Sequence, residues 1–283
     1  MAAWATGAVP PAPLTETSMT LMTVIAPVIV AAFFALQGGG GRSSEGRLHN
    51  VFGEDDRVAL DQHDRKWTAI GKIFNTGCSG TMVGRDIVLT AAHCVIDPAT
   101  KQISTNLTWY RPDYVNGTAP VESWIDEVWP GTLDPTSDTG RDWAILRLRD
   151  PIGEKVGWID VNFTDTMNFP DKLTVAGYST DFQGGEVAGL HVDCDTRGRF
   201  PATNLIFHDC DLTRGSSGGP ALTWFLGSVF VTGVNIAERR ENGDVSLHVD
   251  AYDDEHANVV IPTQGFYNFL KQQQILALVR DIN

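Results

Sequence analysis

From Val51 onward the apolar positions fall in short runs separated by Gly, Pro, Asn and Asp. They are Trp67 to Phe74, Thr81 to Val83, Ile87 to Ala91, Leu107 to Tyr110, Trp143 to Leu148, Leu173 to Gly177, Val229 to Val234 and Val245 to Val249. Runs of this length predict strands, and many short strands in series predict an all-β barrel or sandwich. Only the end reads as a helix. In Thr263 to Val279, Phe269 and Leu270 follow Phe266 by three and four positions, more apolar residues begin at Ile275, and Pro262 stands just before the start. This terminal helix is expected to lay its apolar stripe on the barrel.

The first fifty residues follow another pattern. Residues 1–18 are rich in Ala, Pro and Thr and read as disordered, whereas Met19 to Leu36 is an uncharged apolar run altered in character only by Pro27. Segment 19–36 is read as a signal peptide or a membrane anchor, because its length lies between the two. Arg42 and Arg47 follow it and only Glu16 precedes it, an order that taken alone would leave the C-terminal side in the cytoplasm. The chemistry below requires an exported domain and overrides that order. Residues 37–50, with glycines from Gly38 to Gly41, read as a linker or propeptide, and the folded domain is expected over 51–283.

Composition narrows the classes of function. The 283 residues are 42% hydrophobic and 9% aromatic, enough for a large core, and carry a net charge of -14. Such a chain lacks the clustered Lys and Arg that phosphate binding needs, so nucleic acid is not expected as a partner. Cys78, Cys94, Cys194 and Cys210 form two local pairs in sequence, which suggests Cys78 with Cys94 and Cys194 with Cys210 among three possible pairings. Disulfides imply an oxidising compartment. The alternative is four free thiols or a metal site, although no Cys-x-x-Cys is present. Sequons at Asn106, Asn116 and Asn162 are compatible with export.

Three short strings carry candidate chemistry. Arg214 to Leu222 reads Arg-Gly-Ser-Ser-Gly-Gly-Pro-Ala-Leu. Its Ser217, between small residues, is a candidate nucleophile, and the amides of Gly215 and Ser217 could share one oxyanion. By itself the string could be an ordinary turn. In Ile87-Val-Leu-Thr-Ala-Ala-His-Cys-Val95, His93 follows a strand directly, and imidazole is the side chain suited to taking a hydroxyl proton near neutral pH. Asp142 opens Asp-Trp-Ala-Ile-Leu-Arg-Leu, where a carboxylate at a strand mouth could hold the other ring nitrogen of a histidine or merely cap a turn.

In the order His93, Asp142, Ser217, the strings Leu-Thr-Ala-Ala-His-Cys, Asp-Trp-Ala-Ile-Leu and Gly-Ser-Ser-Gly-Gly-Pro resemble the chymotrypsin-like, trypsin-fold serine endopeptidases. Val51-Phe-Gly-Glu-Asp-Asp-Arg-Val58, the run Cys-Ser-Gly-Thr-Met-Val-Gly from Cys78 and the lack of an Asp before Ser217 look most like the glutamyl endopeptidase branch. The resemblance implies two six-stranded antiparallel β-barrels with a C-terminal α-helix, the first barrel over about 51–155 and the second barrel with the helix over about 156–283. It implies Ser217 as nucleophile, His93 as general base, Asp142 as its orienting acid, and an oxyanion hole from Gly215 and Ser217. Cys78 with Cys94 matches the staple beside the catalytic histidine of that fold.

Departures from the family bear on maturation and specificity. Ser216 stands where trypsin-type zymogens place the Asp that receives a freed amino terminus, so that switch is absent. Members resembling the glutamyl branch use a processed N-terminus near the pocket, and cleavage between Asn50 and Val51 is expected. Glutamate-specific relatives carry a pocket histidine in Gly-Ile-His, where this chain has Gly233-Val234-Asn235. Asp211, six residues before Ser217, lies where the pocket acid of trypsin sits and, with Glu238, would favour Lys or Arg; the alternative is a structural loop acid. The main-chain edge of Asn235, Ile236 and Ala237 is expected to pair with substrate.

The expected activity is therefore serine endopeptidase, on a protein or peptide substrate, by a monomer that is secreted or extracytoplasmic and possibly tethered through 19–36. No metal or organic cofactor is implied. One rival is a catalytically silent binding module on a protease fold. The other is an esterase, whose Gly-x-Ser-x-Gly elbow comes before its Asp and His, the reverse of the order here.

Overall fold

Six β-rich runs of the first half build one closed ring. In the computed structural model, which describes residues 50–61, 64–239, 252–253 and 256–280 with 237–239 described by backbone alone, these are β1 (Ile70–Ile73), β2 (Cys78–Met82), β3 (Ile87–Thr90), β4 (Trp109–Pro112), β5 (Ser123–Pro130) and β6 (Ala144–Leu148). Antiparallel pairing runs β1-β2-β3-β6-β5-β4 and closes from β4 back to β1. A small closed barrel is filled by side chains. Tyr110 does much of this: it is fully buried, and its hydroxyl donates to the Ala69 carbonyl at 2.8 Å. At Gly71 an added Cβ would lie 2.7 Å from that ring and 2.5 Å from the Arg111 carbonyl, so the strand can pass the tyrosine only without a side chain.

The second half repeats the plan. Strands β7 (Lys172–Gly177), β8 (Gly189–Phe200), β9 (Leu205–His208), β10 (Pro220–Phe225), β11 (Ser228–Arg239) and β12 (Ala257–Pro262) pair antiparallel in the order β8-β7-β10-β11-β12-β9, and β9 returns to β8. The architecture is thus two closed six-stranded antiparallel barrels with one long helix at the C-terminal end, as expected. Both disulfides form with the pairing suggested by their sequence order, Cys78 with Cys94 and Cys194 with Cys210.

Chain entry and exit cross over between the halves. Val58–Ala59 pairs with β8 of the second barrel, although residues from 51 were expected to belong with the first. Helix α1 (Tyr267–Arg280), which follows the second barrel, instead packs on the first: Phe269 meets Trp129 and Trp143, and the Gln274 side-chain amide donates to the Val83 carbonyl. The helix differs from expectation in its buried face. Leu270, Gln273 and Ala277, spaced by three and four, are buried, while Ile275, Leu276, Leu278 and Val279 are exposed. A rotation of 100° per residue turns those last apolar positions away from the face that Leu270 presents.

The expectations for 1–18, 19–36 and most of 37–50, the run Val245 to Val249, and the side chains of Ala237 and Glu238 lie outside the described residues. Among the described residues no helix is long and apolar enough to cross a membrane.

Candidate active site

The strand β3 ends at Thr90, and the chain then tightens into a single 3-10 turn, Ala92–Cys94, whose outward residue is His93. The disulfide from Cys94 to Cys78 ties this turn to β2. Asp142 leaves another 3-10 turn, Thr139–Arg141, just before β6. Because β3 and β6 are neighbours in the barrel, with Thr90 opposite Ala144, the two turns meet at one end of the ring. Asp142 is buried at 4% exposure, and both of its oxygens face His93: Oδ1 accepts from the His93 backbone N–H at 2.8 Å and Oδ2 lies 2.7 Å from Nδ1. A carboxylate only accepts, so Nδ1 carries the proton and Nε2 is left with a free lone pair.

Ser217 belongs to the other barrel. Three amides hold its loop: Ser216 N–H donates to Thr213 O at 3.1 Å, Gly218 N–H to Asn235 O at 2.7 Å, and Gly219 N–H to Ser216 O at 2.8 Å. The first barrel contributes too, since Ser79 donates from its N–H to Ser217 O and from its hydroxyl to Gly215 O, both at 2.8 Å. By contrast, the amides of Gly215 and Ser217 donate to no described residue. Gly215 and Gly218 have φ of +102° and +83°, and an added Cβ would come within 2.3 Å of Tyr178 O and 2.1 Å of Thr90 Oγ1 respectively. Only glycine allows both that backbone and that approach.

His93 and Ser217 line one open groove of about 540 Å³, together with the Cys78–Cys94 disulfide, Thr180, Arg214 and Gly215. The Ser217 hydroxyl makes no hydrogen bond to a described residue, His93 included. The arrangement therefore offers an oriented imidazole with a free lone pair, a serine in the same groove, and two unpaired amides beside that serine.

Residues 58–254 match the family described as Trypsin. The chain belongs to the trypsin family. Its similarity to other members is distant but extended: 28% identity over 184 residues, 61% of this chain and 54% of the relative, to the glutamyl endopeptidase of Bacillus licheniformis. Rattus norvegicus serine protease 23 is 30% identical over 220 residues, 65% of this chain and 56% of that protein. The chain thus spans about half the length of the curated relatives it matches. Among solved structures, a glutamyl endopeptidase superposes with a TM-score of 0.62 at 21% identity, covering 80% of this chain and 99% of that one. A protease of Arthrobacter nicotinovorans gives 0.53 at 22% identity, over 70% and 91%. These structures establish the shared fold.

This trypsin-family chain uses Asp211 differently from the pocket acid expected of it. Asp211 is fully buried, and its oxygens accept from the Phe52 and Asp56 backbone amides at 2.9 and 3.0 Å, while its own N–H donates to His191 Nδ1 at 2.9 Å. The carboxylate is held by two amides of the entering chain. Asn235 is also buried, and its side-chain amide donates to the carbonyls of Gly219 and Pro220, both at 3.1 Å. Ile236 is buried by its side chain, and beyond Val234 the pairing of β11 with β10 stops, so the backbone of Ile236 and Ala237 has no strand neighbour on that side among the described residues. On the other side both residues lie within the ladder to β12.

Asn50 departs from the expected cleavage boundary. It is fully buried at φ +72°, its side chain donates to Ala257 O at 2.9 Å, and its carbonyl accepts from Asn258 Nδ2 at 3.1 Å. Directly before Ser217, the Ser216 hydroxyl donates to Thr213 O at 2.6 Å and so holds the loop from within.

Two sets of three metal-type donors converge within 4.8 Å among the described residues: Cys78, His93 and Cys94, and Asp56, His191 and Asp211. In the first the sulfurs are bonded to each other, and in the second Asp211 and His191 Nδ1 already accept from backbone amides. His208 escaped notice in the sequence. It is fully buried, and burial pushes its imidazole down to about 3 despite the opposing influence of Asn235. Nothing in Leu-Ile-Phe-His distinguishes it beforehand.

Proposed function

We propose that this chain is a serine endopeptidase in which Ser217 attacks a peptide carbonyl. His93 Nε2 takes the Ser217 hydroxyl proton as the Oγ–C bond forms, then returns it to the amine when the C–N bond breaks. Asp142 keeps the imidazole in the Nδ1–H tautomer and stabilises the imidazolium. The amides of Gly215 and Ser217 donate to the oxyanion, and a water activated by His93 then hydrolyses the acyl-enzyme. The free main-chain edge at Ile236 and Ala237 takes the peptide before the scissile bond as an added strand. Two disulfides and an exported, peptide-cleaving role are mutually consistent.

The observation that carries the reading is the double attachment of His93 to buried Asp142. A histidine held through both its backbone and its ring, with its free nitrogen in the groove that Ser217 lines, suits proton transfer. Asp211 is fully buried and its oxygens are bonded to the Phe52 and Asp56 amides rather than left free for a substrate side chain, so no preference for basic residues before the scissile bond is proposed.

Labelling with a phosphonofluoridate reagent tests the proposal against a silent binding module. The expected result is covalent modification of Ser217 and none in Ser217→Ala. A folded protein, either intact or cleaved within residues 37–50, that stays unlabelled at Ser217 in both forms would refute it.

A further inference from the structure

Arg214 is the residue immediately before the Gly215 amide, it lines the active-site groove, and its side chain is exposed. Elsewhere in this acidic chain Arg57, Arg85, Arg111, Arg147 and Arg199 each lie within 4 Å of a carboxylate. Arg214 forms no ion pair or hydrogen bond through its side chain with any described residue. An unpaired guanidinium presents five donors in a planar fork, a shape matched to a carboxylate. The one carboxylate lining the same groove among the described residues, Asp97, is already engaged, since its Oδ1 accepts from the Ala99 and Thr100 amides at 2.8 and 2.9 Å.

The groove also has a direction. It starts at Ser217 and His93 and spreads over the Cys78–Cys94 disulfide and the turn Asn75 to Gly77, and it includes none of Asn235, Ile236 or Ala237. A peptide whose acyl side pairs with the β11 edge has its leaving side in this groove. We infer that Arg214 is a specificity-determining residue that selects peptides with Asp or Glu at the first or second position after the scissile bond. This rests on the peptidase activity proposed above. The carboxylate of such a residue meets the guanidinium in a solvent-accessible, charge-assisted pair, so the preference is salt-sensitive.

The test is cleavage of a peptide series with Asp, Ala or Lys at each of those two positions, by the wild type and by Arg214→Gln, Arg214→Glu and Arg214→Lys. Ratios of kcat/KM within one variant cancel any general loss caused by disturbing the neighbouring oxyanion loop. The wild type is expected to favour Asp over Lys roughly tenfold, the size of one well-formed charged pair. Arg214→Gln should lose the preference, Arg214→Glu should reverse it, and Arg214→Lys should keep part of it, with raised salt narrowing the wild-type ratio. An active wild type indifferent to these positions would overturn the inference. So would an Arg214→Glu profile unchanged there or altered only before the scissile bond. Failure of every form to cleave any peptide would instead count against the peptidase reading itself.

Discussion

Replacing Asp142 by Asn removes one charge and exchanges one oxygen for an NH2 group of similar size, and the structure determines how the amide must sit. Asp142 accepts two hydrogen bonds, from the His93 backbone N–H at 2.8 Å and from Nδ1 at 2.7 Å. An asparagine can accept only one of them. If its oxygen faced Nδ1, its NH2 would oppose a backbone N–H in a buried position, an unpaired clash of two donors costing about 1–3 kcal/mol. The oxygen is therefore held by the backbone amide, and the NH2 donates to Nδ1. That contact selects the imidazole tautomer with its proton on Nε2, where it faces Ser217 as a donor and cannot act as base. A loss of about 10⁴ in kcat is expected, the size associated with the wrong tautomer in the well-studied triad of this kind, equivalent to about 5 kcal/mol. The assay is steady-state hydrolysis of a peptide substrate, with thermal unfolding of the same preparation as a control for folding. Asp142→Asn that unfolds at the wild-type temperature and keeps more than a tenth of the wild-type kcat, an order-of-magnitude limit set against that loss, would refute the reasoning.

Three further outcomes are expected. Asp211→Asn places an amide where the Phe52 and Asp56 N–H groups converge; it should cost about 1–3 kcal/mol and lower the melting temperature by several degrees, while leaving the residue preference before the scissile bond unchanged, as a peptide library would show. His208 is held neutral by burial with its pKa lowered from 6.5 to about 3, so the unfolded chain binds the extra proton first. Its contribution to stability is complete above pH 6.5 and is lost as pH falls towards 3, at about 1.4 kcal/mol per pH unit in between, and His208→Gln should flatten the acid limb of a denaturation series by that slope. Replacing Cys194 and Cys210 by Ser opens a 16-residue link and should cost about 3 kcal/mol, seen in denaturant titration without loss of Ser217 labelling at low temperature.

Part of the fold was visible in the chain and part was not, for a reason that particular strands make clear. Ile87–Thr90 and Ala144–Leu148 lie at the barrel centre, where both faces are almost wholly covered, and they read as mostly apolar runs in which only Thr90 and Arg147 are polar. Gly189–Phe200 has most of its residues only partly covered or exposed, and its Asp, Arg and Gly residues hide its strand character. Ser123–Pro130 is masked in the same way by Asp126 and Glu127. Periodicity reports burial, so strands that solvate one face beside irregular polar positions leave no clear pattern.

The chain by itself nominated the candidate site: one histidine, one carboxylate and one serine stand in strings whose order and residue types suit acyl transfer. It also suggested a cysteine pairing, which the folded chain then showed. Tertiary structure decided everything that depends on who meets whom at long range. From the sequence Asp211 could be a pocket acid or a loop acid, and in the fold it accepts from amides more than 150 positions away. Arg214 was an unremarked charge beside a glycine, and only the folded groove showed it facing solvent with no ion pair to a described residue. A side chain's type is local, but whether its charge is spent depends on partners that folding alone delivers.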